Sequence, residues 1–332
     1  MTDAITVEGL TKRFGSIVAL TGVTFDAAEG TVFGLLGPNG SGKTTLVRIL
    51  ATVLAPSGGR AAILGTDVVA HPRRVRFDIG LAGQFAAVDP HLTGRENLRL
   101  VGRLAQLRPE LIAHRADDLL ERFGLAQAAN RPVKGYSGGM RRRLDVAAAL
   151  VHRPRVLFLD EPTTGLDLQS RNELWESIRE LVRGGTTVLL TTQYLEEADQ
   201  LAGRIAVMDQ GRVIADDTPA RLKAQFGSTI LELSYAEEEP AGRAAALLEH
   251  STADHLERDR VTVRLTTQDS AKVLTDVLPR LEASGLPPAR LVVRDPSLDD
   301  VFLALTGTRR AGAPDSRPAS ADQPAAHAGG TR

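Results

Sequence analysis

Gly37-Pro-Asn-Gly-Ser-Gly-Lys-Thr-Thr45 carries residue types at a spacing that suits a polyphosphate. The run has the form G-x-x-x-x-G-K-[ST], whose glycines let the backbone curl until several N–H groups face one anion. Gly37, Pro38, Asn39, Gly40, Ser41, Gly42, Lys43, Thr44 and Thr45 are therefore assigned to nucleotide binding. Lys43 can reach the β- and γ-phosphates, and the Thr44 hydroxyl can ligate Mg²⁺. The apolar segment Val32–Leu36 precedes the loop and a helical pattern follows it. A helix N-terminus there adds partial positive charge. The spacing is not G-x-G-x-x-G, so a dinucleotide fingerprint is excluded. A chance glycine-rich turn is the bland reading, and the strand–loop–helix context argues against it.

A second chemical feature is Val156-Leu-Phe-Leu-Asp160-Glu161-Pro162, a continuous apolar run ending in two carboxylates. The carboxyl ends of strands in an open α/β sheet face the ligand crevice. Asp160 is placed to hold Mg²⁺, and Glu161 to orient or deprotonate the attacking water. Neighbouring side chains on a continuing strand point to opposite faces. Both serve one site only if the chain turns at once, a turn expected from Pro162.

Ser137-Gly138-Gly139 lies between these two elements, flanked by Tyr136 and Met140 and followed by Arg141-Arg-Arg-Leu. Ser137 is a good helix N-cap, and the two glycines expose backbone donors to a second anion site. At this point the chain resembles the nucleotide-binding subunits of ABC transporters, whose signature has the form LSGGQ. The resemblance spans residues 4–218. It implies that two such domains pair head to tail, Ser137, Gly138 and Gly139 of each completing the other's ATP site. It also implies a water- and metal-positioning role for Gln84, D-loop contact with nucleotide for Asp167, and adenine stacking on Phe14. Gln193 falls where the family's switch histidine stands. An amide N–H can still bond a γ-phosphate but cannot shuttle a proton. The implied catalytic set is thus Glu161, Lys43, Gln84 and Gln193, and the implied metal set Thr44, Gln84 and Asp160.

Tyr136, Met140 and Gln193 depart from the family pattern, and Pro296-Ser-Leu-Asp-Asp-Val-Phe-Leu-Ala-Leu-Thr-Gly307 adds a C-terminal motif. Together they resemble the drug-resistance exporter ATPases typified by the daunorubicin/doxorubicin resistance ATP-binding proteins. That subgroup implies a short C-terminal domain supporting assembly. A buried helical stripe of Leu298, Val301, Phe302 and Leu305 is the plainer alternative.

The elements needed to hold these groups are visible as pattern. Strands are expected at Ile5–Val7, Thr31–Leu36, Ile79–Ala82, Val156–Leu159, Thr187–Thr191 and Ile205–Asp209, with helices between. Val18–Phe25 reads as an antiparallel piece. The pattern is α/β, and the resemblance implies a P-loop NTPase of ABC ATPase type with a parallel-sheet core, an antiparallel β piece and a helical subdomain. Residues 4–219 are assigned to the nucleotide-binding domain and 220–306 to a small α+β domain. Its strands are expected at Thr229–Ser234, Val261–Thr266 and Arg290–Arg294, and its helices at Ala241–Leu248, Ser270–Ala283 and Leu298–Leu305. Residues 307–332 contain no Leu, Ile, Val, Met or aromatic residue and are expected to be disordered.

Composition narrows the rest. The 332 residues carry a net charge of −1, which argues against a nucleic-acid binder relying on bulk positive charge. No cysteine is present, which excludes a disulfide scaffold and a thiolate zinc site. The seven histidines show no ligand spacing. Arg73-Arg-Val-Arg76 reads as a solvated face. Arg141–Arg143 oppose a helix macrodipole, so carboxylates or a bound triphosphate must compensate them. No apolar run approaches the roughly 20 residues of a membrane helix. A separate integral-membrane permease, as two copies or a pair, is therefore the implied partner. The ATPase itself is expected as a homodimer on the cytoplasmic face of the membrane, with ATP and Mg²⁺ as ligands. Leu98, Leu104 and Leu107 lie in the region that faces the permease in the family. Ribosome- or DNA-directed ABC ATPases usually fuse two nucleotide domains or insert a coiled coil, and this chain shows neither.

Overall fold

The computed structural model describes residues 2–83, 88–226, 228–249 and 251–310. The chain opens with two long antiparallel strands, β1 (Asp3–Phe14) and β2 (Ile17–Ala28), then the buried strand β3 (Val32–Leu36) and helix α1 (Lys43–Leu50). Next come β4 (Gly58–Ile63), β5 (Thr66–Asp67), α2 (Pro72–Asp78) and β6 (Ile79–Ala82). A helical stretch follows: α3 (Gly94–Leu104), α4 (Pro109–Arg122) and α5 (Gly138–Ala149). The chain then alternates through β7 (Val156–Asp160), α6 (Leu168–Arg183), β8 (Thr187–Thr192), α7 (Leu195–Leu201), β9 (Arg204–Asp209) and β10 (Arg212–Asp217).

Among the described residues these strands form two sheets. One is antiparallel, in the order β2-β1-β4-β5. The other runs β10-β9-β3-β8-β7-β6 and is parallel except for its edge strand β10. Its central strands are apolar on both faces because both faces are covered. The period-two alternation of side chains divides them between two cores. Phe33, Leu35, Val156, Phe158 and Leu189 pack with the antiparallel sheet and α1, where Phe25 stacks on Phe33 at 4.8 Å. Val32, Leu36, Leu157, Leu159, Val188 and Leu190 pack beneath the helices on the other side. Thr93 caps α3 in a reciprocal capping box with Glu96, which fixes where the helical stretch begins.

The remaining chain comprises α8 (Pro219–Phe226), β11 (Thr229–Ser234), α9 (Glu238–Leu248), β12 (His255–Asp259), β13 (Thr262–Thr267), α10 (Ser270–Ala283), β14 (Arg290–Arg294) and α11 (Leu298–Arg310). An antiparallel sheet in the order β12-β13-β11-β14 buries Leu231, Leu233, Val263 and Leu265 against α9 and α10. The last helix, within the residues expected to form this small domain, packs on the large core. Leu298 and Val301 of α11 belong to the large core together with Leu222 of α8, and α11 packs on α8 and α7. The helix also continues through Arg310, past the Gly307 boundary set for the tail. Among the described residues no helix is long and apolar enough to cross a membrane.

Candidate nucleotide site

The phosphate loop sits at the carboxyl end of β3, between β9 and β8, and runs into the N-terminus of α1. No side chain caps that terminus, so its leading N–H groups are free for an anion. Gly40 and Gly42 take φ values of +82° and +105°, a region that favours glycine. Ser41 Oγ is buried without a hydrogen-bond partner among the described residues. These are the features a polyphosphate would satisfy. Lys43 is buried, its Nζ donating to the carbonyls of Gly37 (2.8 Å) and Pro38 (3.0 Å) and lying 3.9 Å from Glu161 Oε1. Burial pulls its ammonium below the usual lysine value, while Glu161 and Asp160 oppose the shift.

Asp160 ends β7 one strand beyond β8. Its Oδ1 accepts from Thr44 Oγ1 at 3.3 Å and from Thr191 Oγ1, on the intervening strand. A threonine hydroxyl and one carboxylate, both hard oxygen donors, fit Mg²⁺, which takes few protein ligands and completes its shell with phosphate and water. Bound there, the metal would neutralise charge on the phosphate oxygens.

The turn that brings the second carboxylate into the crevice is made by Glu161 itself rather than by Pro162. Glu161 stands at φ +50°, a conformation that costs on the order of 1–3 kcal/mol outside glycine. Its N–H donates to the carbonyl (3.0 Å) and hydroxyl (3.1 Å) of Thr191, which helps to hold it there. The side chain is thereby turned toward Lys43 instead of following strand alternation.

Gln193 follows β8 directly, half-buried beside this crevice. Gln84 lies outside the described residues. Phe14 ends β1 at the hairpin with its ring 45% exposed, and Lys12 Nζ stands 5.0 Å from the ring centre.

The signature residues form a separate patch. Ser137 caps α5, accepting from the Met140 N–H at 3.2 Å. Tyr136, where the family has leucine, is buried and donates its hydroxyl to the Ala128 carbonyl at 2.7 Å. Asp167 caps α6, accepting from Ser170 N (2.8 Å) and Ser170 Oγ (3.0 Å), and these bonds hold its carboxyl below the usual aspartate range. Gly139 packs so closely on Ser170 that an added Cβ would stand 2.3 Å from Ser170 Oγ. Signature and D-loop are thus one surface. Among the described residues, no hydrogen bond or ion pair links Ser137, Gly138, Gly139 or Asp167 to the phosphate loop.

The arginine run resolves by contact. Arg143 pairs with Glu173, and Arg142 turns inward to Asp145 at 3.2 Å and to three backbone carbonyls. Arg141 is exposed. Trp175 is buried, whereas Tyr194 is 36% exposed, with the Arg171 guanidinium 5.6 Å from its ring centre.

Sequence reading did not find Glu197, which is wholly buried behind the switch loop with its Oε1 3.2 Å from Trp175 Nε1. Burial raises its carboxyl above 4.5, against the Thr192, Trp175 and Thr163 side chains and the charge of Arg171. A raised acid is stable to folding while protonated and destabilises as pH climbs from 4.5 through its folded value. Glu197→Gln removes that ionisation. Its melting temperature is expected to match wild type below pH 4.5 and to exceed it increasingly, by up to a few degrees, as pH climbs above that value. Thermal melts across that range would contradict the assignment if the difference were flat.

Residues 20–164 match the family model described as ABC transporter. Residues 218–306 match the model described as ATP-binding protein DrrA1-3-like, C-terminal domain. The chain is 52% identical over 307 residues to the daunorubicin resistance ATP-binding protein DrrA3 of Streptomyces coeruleorubidus, covering 92% of this chain and 97% of that protein. It is 47% identical over 307 residues to the daunorubicin/doxorubicin resistance ATP-binding protein DrrA of Streptomyces peucetius, covering 92% and 93%. Among solved structures, cbiO1 from Clostridium perfringens, part of the ABC transporter complex cbiONQ, superposes with a TM-score of 0.63 at 27% identity. That match covers 68% of this chain and 92% of cbiO1. The convergence of phosphate loop, Asp160 and Glu161 in this fold, and the extent of these likenesses, place the chain among the ATP-hydrolysing subunits of ABC transporters, in the daunorubicin/doxorubicin resistance ATP-binding protein family.

Proposed function

We propose that the chain powers export of a drug or drug-like secondary metabolite through a separate membrane permease, docked at the cytoplasmic face. The observation that carries this reading is a pair of half-sites on one chain. The phosphate loop has its lysine, its threonine–aspartate pair and its carboxylate, while the exposed Ser137-Gly138 end of α5 offers helix-terminal donors at a separate surface. Two copies meeting head to tail would supply each loop with the other's signature, and the exposed Arg141 would add a cation there. ATP binding closes the pair, and hydrolysis and product release reopen it. Within the site, Lys43 and the signature donors stabilise charge on the γ-phosphoryl, and Glu161 orients water for in-line attack.

A docking place for the permease is supported by an open groove of about 890 Å³ lined by Phe77, Leu104, Leu107 and His152. Phe77 and Leu104 are 69% and 74% exposed there. The drug class rests on the names of the relatives, and the test is direct. Cells producing the chain together with a partner permease should accumulate less daunorubicin than cells producing the same permease with Lys43→Ala. Equal accumulation, with a lipid or polysaccharide moved instead, would reassign the cargo.

Gln193 would sense the γ-phosphate through its amide alone. A hydrogen bond to a charged group is worth about 1.5–3 kcal/mol, so Gln193→Ala is expected to slow hydrolysis roughly tenfold or more. Steady-state phosphate release at the wild-type rate would remove Gln193 from the site.

A further inference from the structure

We propose that Arg142 is a positioning residue for Glu161, holding the backbone on both sides of it in the conformation that aims the carboxylate. The proposal rests on the reading of Glu161 as the residue that orients the attacking water.

Glu161 adopts a left-handed backbone without being glycine, and such a conformation persists only when its surroundings over-determine it. One restraint is the N–H of Glu161, fixed on Thr191. A second is its carbonyl, which accepts from the Thr164 N–H at 3.4 Å, and Arg142 holds the residues on either side. Its Nη2 donates to the Asp160 carbonyl at 3.1 Å and its Nε to the Pro162 carbonyl at 2.8 Å, so the guanidinium brackets Glu161. Its Nη1 donates to Asp145, itself buried, and to the Gly83 carbonyl, which immediately precedes Gln84 in sequence. A planar fork with several donors can span carbonyls that diverge this way, which a single ammonium does less well. Burial draws the guanidinium below the usual arginine range, against Asp145, Asp160 and Glu197, which face it. The cost of desolvating this cation is offset by Asp145 and the three carbonyls together.

Arg142 also lies on the helix whose first turn is the signature. Ser137 caps α5 and Gly139 and Arg142 lie within it, so a displacement of the signature end is passed through one rigid element to the backbone of Glu161.

The test compares wild type, Arg142→Met, Arg142→Lys and Glu161→Gln as full chains. Three quantities are read: binding of a fluorescent ATP analogue, KM for ATP, and kcat. Arg142→Met is expected to lower kcat by about 10- to 100-fold, as for a catalytic group misplaced by a fraction of an ångström to ~1 Å, with KM and analogue binding within about twofold of wild type. Arg142→Lys, which keeps charge and some donors, should recover part of that loss. A wild-type kcat in Arg142→Met overturns the proposal, as does a loss confined to KM and analogue binding. If the methionine variant fails to fold, the lysine variant decides alone. A several-fold fall in kcat with analogue binding intact supports the role, and an unchanged kcat overturns it. Failure of the underlying reading is seen separately, as wild-type hydrolysis by Glu161→Gln.

Discussion

Glu161→Gln is expected to bind ATP as tightly as wild type while hydrolysing it about 100- to 1,000-fold more slowly. The substitution keeps the shape, the left-handed backbone and the hydrogen bonds of the Glu161 N–H to Thr191, all of which are main-chain features. It removes only the carboxylate charge that lies 3.9 Å from Lys43 and faces the crevice. The proposed cycle then stops with two nucleotides clamped between two copies. Size-exclusion chromatography with ATP and Mg²⁺ should show a dimer for Glu161→Gln that the wild type populates only transiently. A variant that remains monomeric under ATP, while the wild type dimerises, would contradict the head-to-tail closure. Phosphate release at the wild-type rate would instead deny Glu161 its part in the chemistry.

Gly37→Ala should abolish productive nucleotide binding by a different route. The first residue of the phosphate loop lies against β9, and a methyl group there would stand 2.3 Å from the Met208 carbonyl oxygen and 2.8 Å from Ser41 Oγ. Neither contact is tolerable, and the nearer one is backbone of a central strand. The loop must therefore move, carrying with it the Gly37 and Pro38 carbonyls that hold Lys43. A shift on the order of 1 Å in a positioning element costs about 100-fold, so ATP affinity should fall by at least that factor. The rest of the sheet does not depend on this contact, and cooperative unfolding should persist with a modestly lower midpoint. Equilibrium binding of ATP measured beside a thermal melt separates the two effects. An alanine variant that bound ATP normally would show that the loop has slack the structure does not contain.

Much of the fold was legible because its parallel strands are buried on both sides and announce themselves as apolar runs. Val32–Leu36, Val156–Asp160 and Thr187–Thr192 are of this kind, and each expected position agrees with the structure within a residue. The elements that escaped are the ones whose partners supply the reason for their shape. β12 reads His-Leu-Glu-Arg-Asp and β10 ends in two aspartates, so neither shows a strand pattern, yet each is an edge strand paired on one side only. β4 opens on two glycines and forms because β1 lies beside it. At the site, the loop and the acidic strand end were readable from local spacing. Arg142 was not, since three of its four acceptors are carbonyls at residues 83, 160 and 162, and a backbone acceptor leaves no trace in side-chain type. Glu197 was hidden by an acidic context, Leu195-Glu-Glu-Ala-Asp199, in which only the helix phase tells the buried glutamate from the exposed ones.

The return of α11 to the large core has a mechanical meaning. The polypeptide leaves the ATPase at α8 and re-enters it at α11, and these two helices lie against each other. The small sheet domain is therefore an insertion rooted at two adjacent points, not a pendant on one. A body tethered twice has fewer orientations to explore than a body on a single linker. Its accessible motion reduces toward a swing about one short base, and any pull on it loads the α8–α11 pair in shear. Cutting the chain ahead of Leu298 would release that hinge and at the same time uncover Leu222 and the flank of α7. Looping out residues 229–294 between the two roots would leave the bolt in place.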